Sequence, residues 1–383
     1  MAKKVKSQKL LSLWEIDKKY GTISQGSAIL VENDRTLRIP SRCPWLTYQT
    51  GGGLAYGKIN EVFGYESTGK SLMAKDFGIV AQKMGGVVIY ADPEQALDLA
   101  WAEKVGLDIS KMYVYDETNA IEPISDWFRD LMIALRAELV NNEPILLVID
   151  SIAALDTQSN IGIDMTDRKA QMGNRAKAIG DMWRTRQTAF KKYGITVLAV
   201  NQVRKKLGAS MFESNETQPG GEATKFYASV RLSLNRGKQI KGKKKNGVFQ
   251  ESADGRKIGQ NIYVRVEKNK TAPPRGSIKT QVYFLDDMYG YVGYSKYEGL
   301  QDILIEQKVL KKKGNAYFFK SKGKLIKVAG KYDDITKNLE ENEVLRRKIL
   351  RRSGIPTIST AIEKLESIKK NLYPVNLGKS RKE

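Results

Sequence analysis

Histidine is absent from this chain of 383 residues, and cysteine occurs once, at Cys43. Without histidine there is no imidazole base, no histidine triad and no histidine zinc ligand. A single cysteine forms neither an internal disulfide nor a thiolate metal cluster. Long apolar runs are missing as well, and nothing approaches the roughly 18 residues that suggest a membrane span. The opening stretch MAKKVKSQKLLSLWEIDKK is basic, and acidic residues interrupt it before a secretory apolar segment develops. These absences lead to the expectation of a cytoplasmic protein of a reducing compartment, without a membrane partner. Negative charge is scarce too: 43 acidic residues face 65 Lys and Arg, a net charge of +22. About half of the excess lies in residues 301–383, where 21 basic residues face 10 acidic ones. A second basic cluster is NRGKQIKGKKKNG at 235–247. Any one such cluster is accounted for by solvated surface. Neither reads as an amphipathic helix with large apolar residues opposite, which makes an anionic membrane the weaker partner.

The chain is long enough for two or three domains. Short apolar runs recur as candidate strands: KINEVFG (58–64), GVVIYAD (86–92), MYVYDE (112–117), PILLVID (144–150) and GITVLAVNQ (194–202). Amphipathic stretches separate the early ones, and Met73, Phe77, Val80 and Met84 fall on one helical face. Nearly all-apolar strands alternating with helices predict an α/β fold with a mostly parallel sheet covered on both faces. From about residue 226 strand follows strand, in FYASVRLSLNRG, NIYVRVEKN and IKTQVYFLDD. These are expected to add antiparallel strands joined by the lysine-rich segment as a turn. Beyond about 295 the chain turns helical and basic, with a hairpin-like AYFFKSKGKLIKV inside it. The first 35 residues, with LLSLWEIDKKYG, suggest a helix and arm outside the core, and the final NLGKSRKE a mobile tail.

The segment GYESTGKS (64–71) has the spacing Gly-x4-Gly-Lys-Ser, after a predicted strand and at the start of a predicted helix. In that context the backbone N–H groups of Glu66 to Lys70 wrap phosphates, and the helix N-terminus adds partial positive charge. Lys70 reaches the β- and γ-phosphates, and Ser71 offers its hydroxyl to Mg2+. Asp150 ends the strand ILLVID, where a carboxylate faces the loop and suits magnesium through water. By itself it reads equally as a cap of the following helix. Glu94, just past another strand end, is placed to deprotonate an attacking water or to lie on the surface. With this loop present, the two basic clusters point to a polyanion partner bound by counterion release.

Six ordered blocks extend the match: FGYESTGKS, YADPEQALDLAWAEKVGLD, LLVIDSIAAL, VNQVRKKLG, GGEATKFYASVRL and VEKNKTAPP. Over roughly residues 8–345 the chain resembles the RecA family of DNA strand-exchange proteins, bacterial or phage-encoded. Helicases of the same core share the phosphate loop and Asp150 but not KFYASVRL or EKNK. The resemblance implies a RecA-type P-loop core over 38–290, with a mostly parallel sheet, added antiparallel strands and two DNA-binding loops. It also implies an N-terminal helix and polymerisation arm over 1–37, a small basic C-terminal α/β domain over 291–370 and a basic mobile tail over 371–383. ATP and Mg2+ are the implied cofactors, with Gly64, Tyr65, Glu66, Ser67, Thr68, Gly69, Lys70 and Ser71 on the phosphates and metal. Glu94 becomes the general base, and Gln202 the switch that senses the γ-phosphate and informs the following DNA loop. Asp98 and Trp101 take the positions that hold adenine. Met172, Gly173 and Arg184 match the first DNA loop and its helix, and Arg204, Lys206, Gly220 and Gly221 the second. Lys268 and Lys270 match a pair that reaches a neighbour's γ-phosphate across a head-to-tail interface; without the resemblance they read as an exposed basic strand end. Single-stranded DNA, duplex DNA and further copies of the chain in a helical filament are the implied partners.

The loop compositions fit this reading, since Gly-, Asn- and Gln-rich stretches fold readily on a ligand. Backbone donors and basic side chains there bind phosphates without reading bases. Met172 suits either a wedge between bases or ordinary packing. Departures from the family pattern are Tyr65 where proline is usual, a slightly long first loop (QSNIGIDMTDRKAQMG), an extended lysine-rich segment over 236–260 and a basic tail where an acidic one is common. The expected activity is ATP-dependent strand exchange; the alternatives are a ring helicase and a passive single-strand coating protein.

Overall fold

The computed structural model divides the chain into residues 1–36 and 37–383, and it describes residues 37–138, 143–161, 172–205, 216–245, 248–285 and 290–372. The expected N-terminal arm and residues 373–383 of the expected tail lie outside the described residues. Strands β1 (Arg38–Ile39) and β2 (Leu54–Ala55) pair antiparallel, with helix α1 (Pro44–Gln49) between them in the chain. The apolar runs are strands β3 (Ile59–Gly64), β4 (Val87–Ala91), β5 (Met112–Tyr115), β6 (Ile145–Asp150) and β7 (Ile195–Gln202). Helices α2 (Lys70–Lys83), α3 (Leu99–Val105), α4 (Ile121–Glu138) and α5 (Met172–Tyr193) alternate with them.

The sequence pattern of these strands follows from burial on both faces. Val88, Tyr90, Leu146, Val148, Leu198 and Val200 pack with Met73, Phe77 and Val80 of α2. Their neighbours Ile89, Ala91, Leu147, Ile149, Val197 and Ala199 pack on the other side with Phe128 of α4 and Trp183 of α5. A period of two carries each strand's residues alternately into the two layers.

After a two-residue ladder of β8 (Arg204–Lys205) and β9 (Glu216–Thr217) come helix α6 (Ala223–Tyr227) and strands β10 (Val230–Lys245), β11 (Val248–Glu251), β12 (Arg256–Asn269), β13 (Ser277–Tyr283) and β14 (Gly293–Tyr294). The large sheet has the order β14-β13-β12-β10-β3-β7-β6-β4-β5, with β11 on β10. The run from β10 through β5 is parallel, and β12, β13 and β14 extend it antiparallel, as expected.

Two local expectations are corrected. Phe226 and Tyr227 belong to α6 rather than to a strand, because Thr224 is tied to the core by the Trp183 indole N–H at 3.0 Å and Phe226 N–H donates to Glu222 O at 2.9 Å. The lysine-rich segment is not a turn. It prolongs β10 to Lys245 in an antiparallel ribbon with β11 and β12, held by Ile240 and Ile258 packed on Tyr283 while Lys238, Lys241 and Lys243 face solvent.

The chain continues through α7 (Leu300–Glu306), the three-stranded antiparallel sheet β15 (Leu310–Lys313), β16 (Ala316–Ser321) and β17 (Lys324–Ala329), then α8 (Asp334–Glu341), α9 (Glu343–Ser353) and α10 (Ile358–Leu372). The expected hairpin is β16–β17. Among the described residues no helix is long and apolar enough to cross a membrane.

Candidate functional site

Strand β3 delivers the chain to the phosphate-type loop at the C-terminal edge of the parallel sheet, where open α/β folds bind ligands. Gly64 is required there, since a Cβ would sit 2.3 Å from Leu234 O on the adjacent strand. Gly69 has φ 89 and precedes α2, a left-handed turn that L side chains resist. Between them Thr68 Oγ1 donates to Tyr65 O at 2.9 Å, while Glu66 and Ser67 are exposed. Lys70, in the first turn of α2, is buried, and its ammonium donates to Tyr65 O at 2.7 Å. Burial lowers its pKa against the opposing pull of Asp150, Glu94 and Glu66. Ser71 follows on the same turn.

Asp150 ends β6 with Oδ2 accepting the Tyr90 hydroxyl at 2.6 Å. The phenol of Tyr90 is pushed far up by burial and by that carboxylate. Glu94 is exposed but has partners: Oε1 accepts from Ser151 Oγ and, at 3.2 Å, from Gln202 Nε2 at the end of β7. Ends of β4, β6 and β7 thus bring Glu94, Asp150, Ser151 and Gln202 beside Lys70. Asp98 is the N-cap of α3, its Oδ1 accepting from Trp101 N–H at 2.9 Å, and the Trp101 ring packs partly on the core. The donors and oxygens fit a triphosphate with Mg2+: a helix N-terminus, a lysine, one hydroxyl and one carboxylate. Among the described residues no group of three or more His, Cys, Asp and Glu side chains is placed to hold a metal ion.

Met172 and Gly173 open α5, and a Cβ on Gly173 would meet nothing within 4 Å. Gly220 and Gly221 have φ of 87 and 67, with Gly220 against Ile152 and Ile179 and Gly221 against Ala176. The end of the first loop and the exit of the second are therefore neighbours across α5. Arg204 is exposed in β8 at the entrance of the second loop; Lys206 lies outside the described residues. Arg184 does not join this group. It sits about 18 Å further along α5 by helix geometry, exposed and paired with Asp181 at 2.9 Å.

Lys268 and Lys270 share one face, as alternation requires. Lys268 Nζ donates to Lys225 O at 2.6 Å and Phe226 O at 3.1 Å, and Lys270 Nζ donates to Phe226 O at 2.9 Å. Both ammonium groups therefore cap the carbonyl end of α6. Partial burial, and then Lys270 beside it, lower the Lys268 pKa. Phe226 next to them is 70% exposed.

Several residues of this region escaped the sequence reading: Tyr90, Ser151 and a polar group of Glu61, Asn201 and Arg231 beneath the second loop. Glu61 had a usable signal. A carboxylate in the middle of a mostly apolar parallel strand is buried and demands a partner.

A family model described as the RecA N-terminal domain matches residues 9–289. The chain belongs to the RecA family. The match takes in every candidate residue above, from Gly64 to Lys270, and stops before the sheet β15–β17. Protein RecA of Cytophaga hutchinsonii is 32% identical over 358 residues, covering 91% of this chain and 92% of that relative. Protein RecA of Chloroherpeton thalassium is 33% identical over 332 residues, 84% of each chain. Protein RecA of Tropheryma whipplei is 33% identical over 314 residues, 81% of this chain but 64% of the relative's length. Similarity to RecA proteins thus reaches past the matched domain into the C-terminal helices and sheet.

Proposed function

We propose that this chain is an ATP-dependent homologous recombinase that polymerises head to tail on single-stranded DNA and exchanges strands with a duplex. The observation that carries the reading is Glu94, held on one oxygen by Ser151 and by Gln202, the residue that leads directly into the second loop. A base for hydrolysis and the start of a DNA-contacting segment thus meet through one side chain.

In this reading Ser71 and Asp150 would hold Mg2+, which would supply charge neutralisation at the phosphates. Lys70 leaves Tyr65 O for the β- and γ-phosphates, and Asp98 and Trp101 hold adenine. Glu94 takes a proton from water as its oxygen bonds to the γ-phosphorus, the bond to the bridging oxygen breaks, and ADP leaves. Gln202, released from Glu94 towards the γ-phosphate, changes the setting of the second loop, so that ATP strengthens and hydrolysis weakens the grip on DNA. Lys268 and Lys270 complete a neighbouring subunit's site from an open filament face. The C-terminal elements from residue 291 act as a small basic domain that gathers duplex DNA.

The test is ATP turnover with and without single-stranded DNA, together with electron microscopy of the assembly. Turnover stimulated by DNA and open helical filaments are expected. Closed rings that unwind forks favour a helicase, and DNA coating without turnover favours a passive binding protein.

A further inference from the structure

Strand β3 carries a charge at Glu61, with Arg231 of β10 opposite on one side and Ala199 of β7 on the other. Glu61 is fully buried, on the face that also holds Ile59 and Phe63, and it lies between Arg231 of β10 and Asn201 of β7. Arg231 Nε donates to Glu61 Oε2 at 2.5 Å, and Asn201 Nδ2 donates to Glu61 Oε1 at 3.0 Å. The Arg231 guanidinium lies 4.4 Å from the centroid of the Phe63 ring, and its side chain is 12% exposed. Two charges so placed lose their hydration, and apolar residues of similar volume commonly hold a fold as well or better. Stability by itself is therefore a poor reason for this pair.

The remaining hydrogen bonds lead out of the pair in two directions. On one side Arg231 Nη2 donates to Gln218 Oε1 at 3.0 Å, and Asn201 Nδ2 reaches Pro219 O at 3.3 Å. Gln218 and Pro219 immediately precede Gly220 and Gly221 at the exit of the second loop. On the other side Asn201 Oδ1 accepts from Gln202 N–H at 2.9 Å, and Gln202 Nε2 donates to Glu94. Asn201 and Gln202 are consecutive on β7, so their side chains leave opposite faces of the sheet. Gln202 looks onto the Lys70 side, and Asn201 onto the Glu61 side. A twist of β7 that moves one amide also moves the other. Asn201 Nδ2 is divided between Glu61 and Pro219, and it cannot shift without loosening one of them.

We propose that the Glu61–Arg231 ion pair, with Asn201, is the positioning element that carries nucleotide state through the sheet, by fixing Gln218 and Pro219 of the second loop to the strand that bears Gln202. Charge-assisted hydrogen bonds are short and directional, so a small displacement of β7 is handed on rather than absorbed as it is between sliding apolar side chains. This inference rests on the recombinase reading.

The experiment measures affinity for a labelled single-stranded oligonucleotide by fluorescence anisotropy, with saturating ADP and with a saturating non-hydrolysable ATP analogue. The ratio of the two affinities is the readout. The double variant Glu61→Met/Arg231→Met removes both charges together and leaves neither uncompensated, so the sheet retains its packing. Its ratio is expected to fall at least tenfold towards one. Gln218→Ala cuts the same chain at its half-exposed end, where the sheet is not at risk, and is expected to lower the ratio threefold or more. A wild-type ratio preserved in Gln218→Ala and in a folded double variant overturns the proposal. A ratio of one in the unaltered protein removes the recombinase reading itself.

Discussion

Glu94 shows how a residue's surroundings give it a chemistry that its local sequence leaves open. Ser151 and Gln202 both donate to Oε1, and among the described residues no donor reaches Oε2. In the proposed reading Oε2 is the oxygen that accepts the proton. Glu94→Gln keeps the volume and can still accept from Ser151, but it has no basic oxygen. ATP is expected to bind with little change while turnover falls by roughly 100-fold or more, the range for loss of a general base. Filaments on DNA should persist, because in the proposed reading release requires hydrolysis. Single-turnover measurements with labelled ATP separate the two effects, and wild-type turnover in this variant removes the base role from Glu94. The phosphate loop, by contrast, was legible residue by residue. Its backbone donors, Lys70 and Ser71 are consecutive, so covalent geometry sets their spacing. Glu94 and Gln202 lie 108 positions apart, and only the parallel register of β4, β6 and β7 joins them.

At the scale of elements, the ribbon of β10, β11 and β12 is where local propensity and structure part. Lysines are weak strand formers, and their run between glycines suggests a turn. What keeps the segment extended is the pairing partner and the anchors Ile240 and Ile258 on Tyr283. Lys241 stands directly opposite Lys257, and both are exposed. Like charges opposite one another destabilise a ladder, and an anion relieves that repulsion. Reversal of Lys238, Lys241 and Lys257 to Glu is expected to weaken duplex capture and to flatten its dependence on salt, by about 0.9 in log–log slope for each phosphate no longer neutralised. Single-strand binding should change less, since in the proposed reading the two central loops carry it. An unchanged slope leaves these lysines as solubilising charge. The short helix α6 makes the same point. Aromatic Phe226 and Tyr227 suit a strand, but the buried bond of Thr224 to Trp183 coils the chain there instead.

For the whole molecule, the proposed role of Lys268 and Lys270 at a neighbouring subunit's nucleotide is open to a direct test. Within one chain they cap α6 and stand beside exposed Phe226, not beside Lys70. Two inactive variants test the arrangement. Lys70→Ala offers intact lysines, and Lys268→Ala/Lys270→Ala offers an intact phosphate loop. In an equal mixture roughly a quarter of head-to-tail interfaces contain both good halves. DNA-stimulated ATPase is expected to reappear on mixing. If the mixture stays inactive while both proteins co-assemble on DNA, the lysines do not act in trans.

Features whose physics is local or periodic can be read along the chain alone. The Gly-x4-Gly-Lys-Ser loop, the strands buried on both faces, the scarcity of acid and the absence of histidine are all legible without a third dimension. The structure added what depends on register between distant strands. It alone decided that Glu61, Asn201 and Arg231 meet on β3, β7 and β10, that Glu94 shares an oxygen between Ser151 and Gln202, and that Arg184 pairs with Asp181 along α5. The reason is that a side chain's neighbours across a parallel sheet are set by crossovers of many residues, whereas its neighbours along the chain are set by the chain itself.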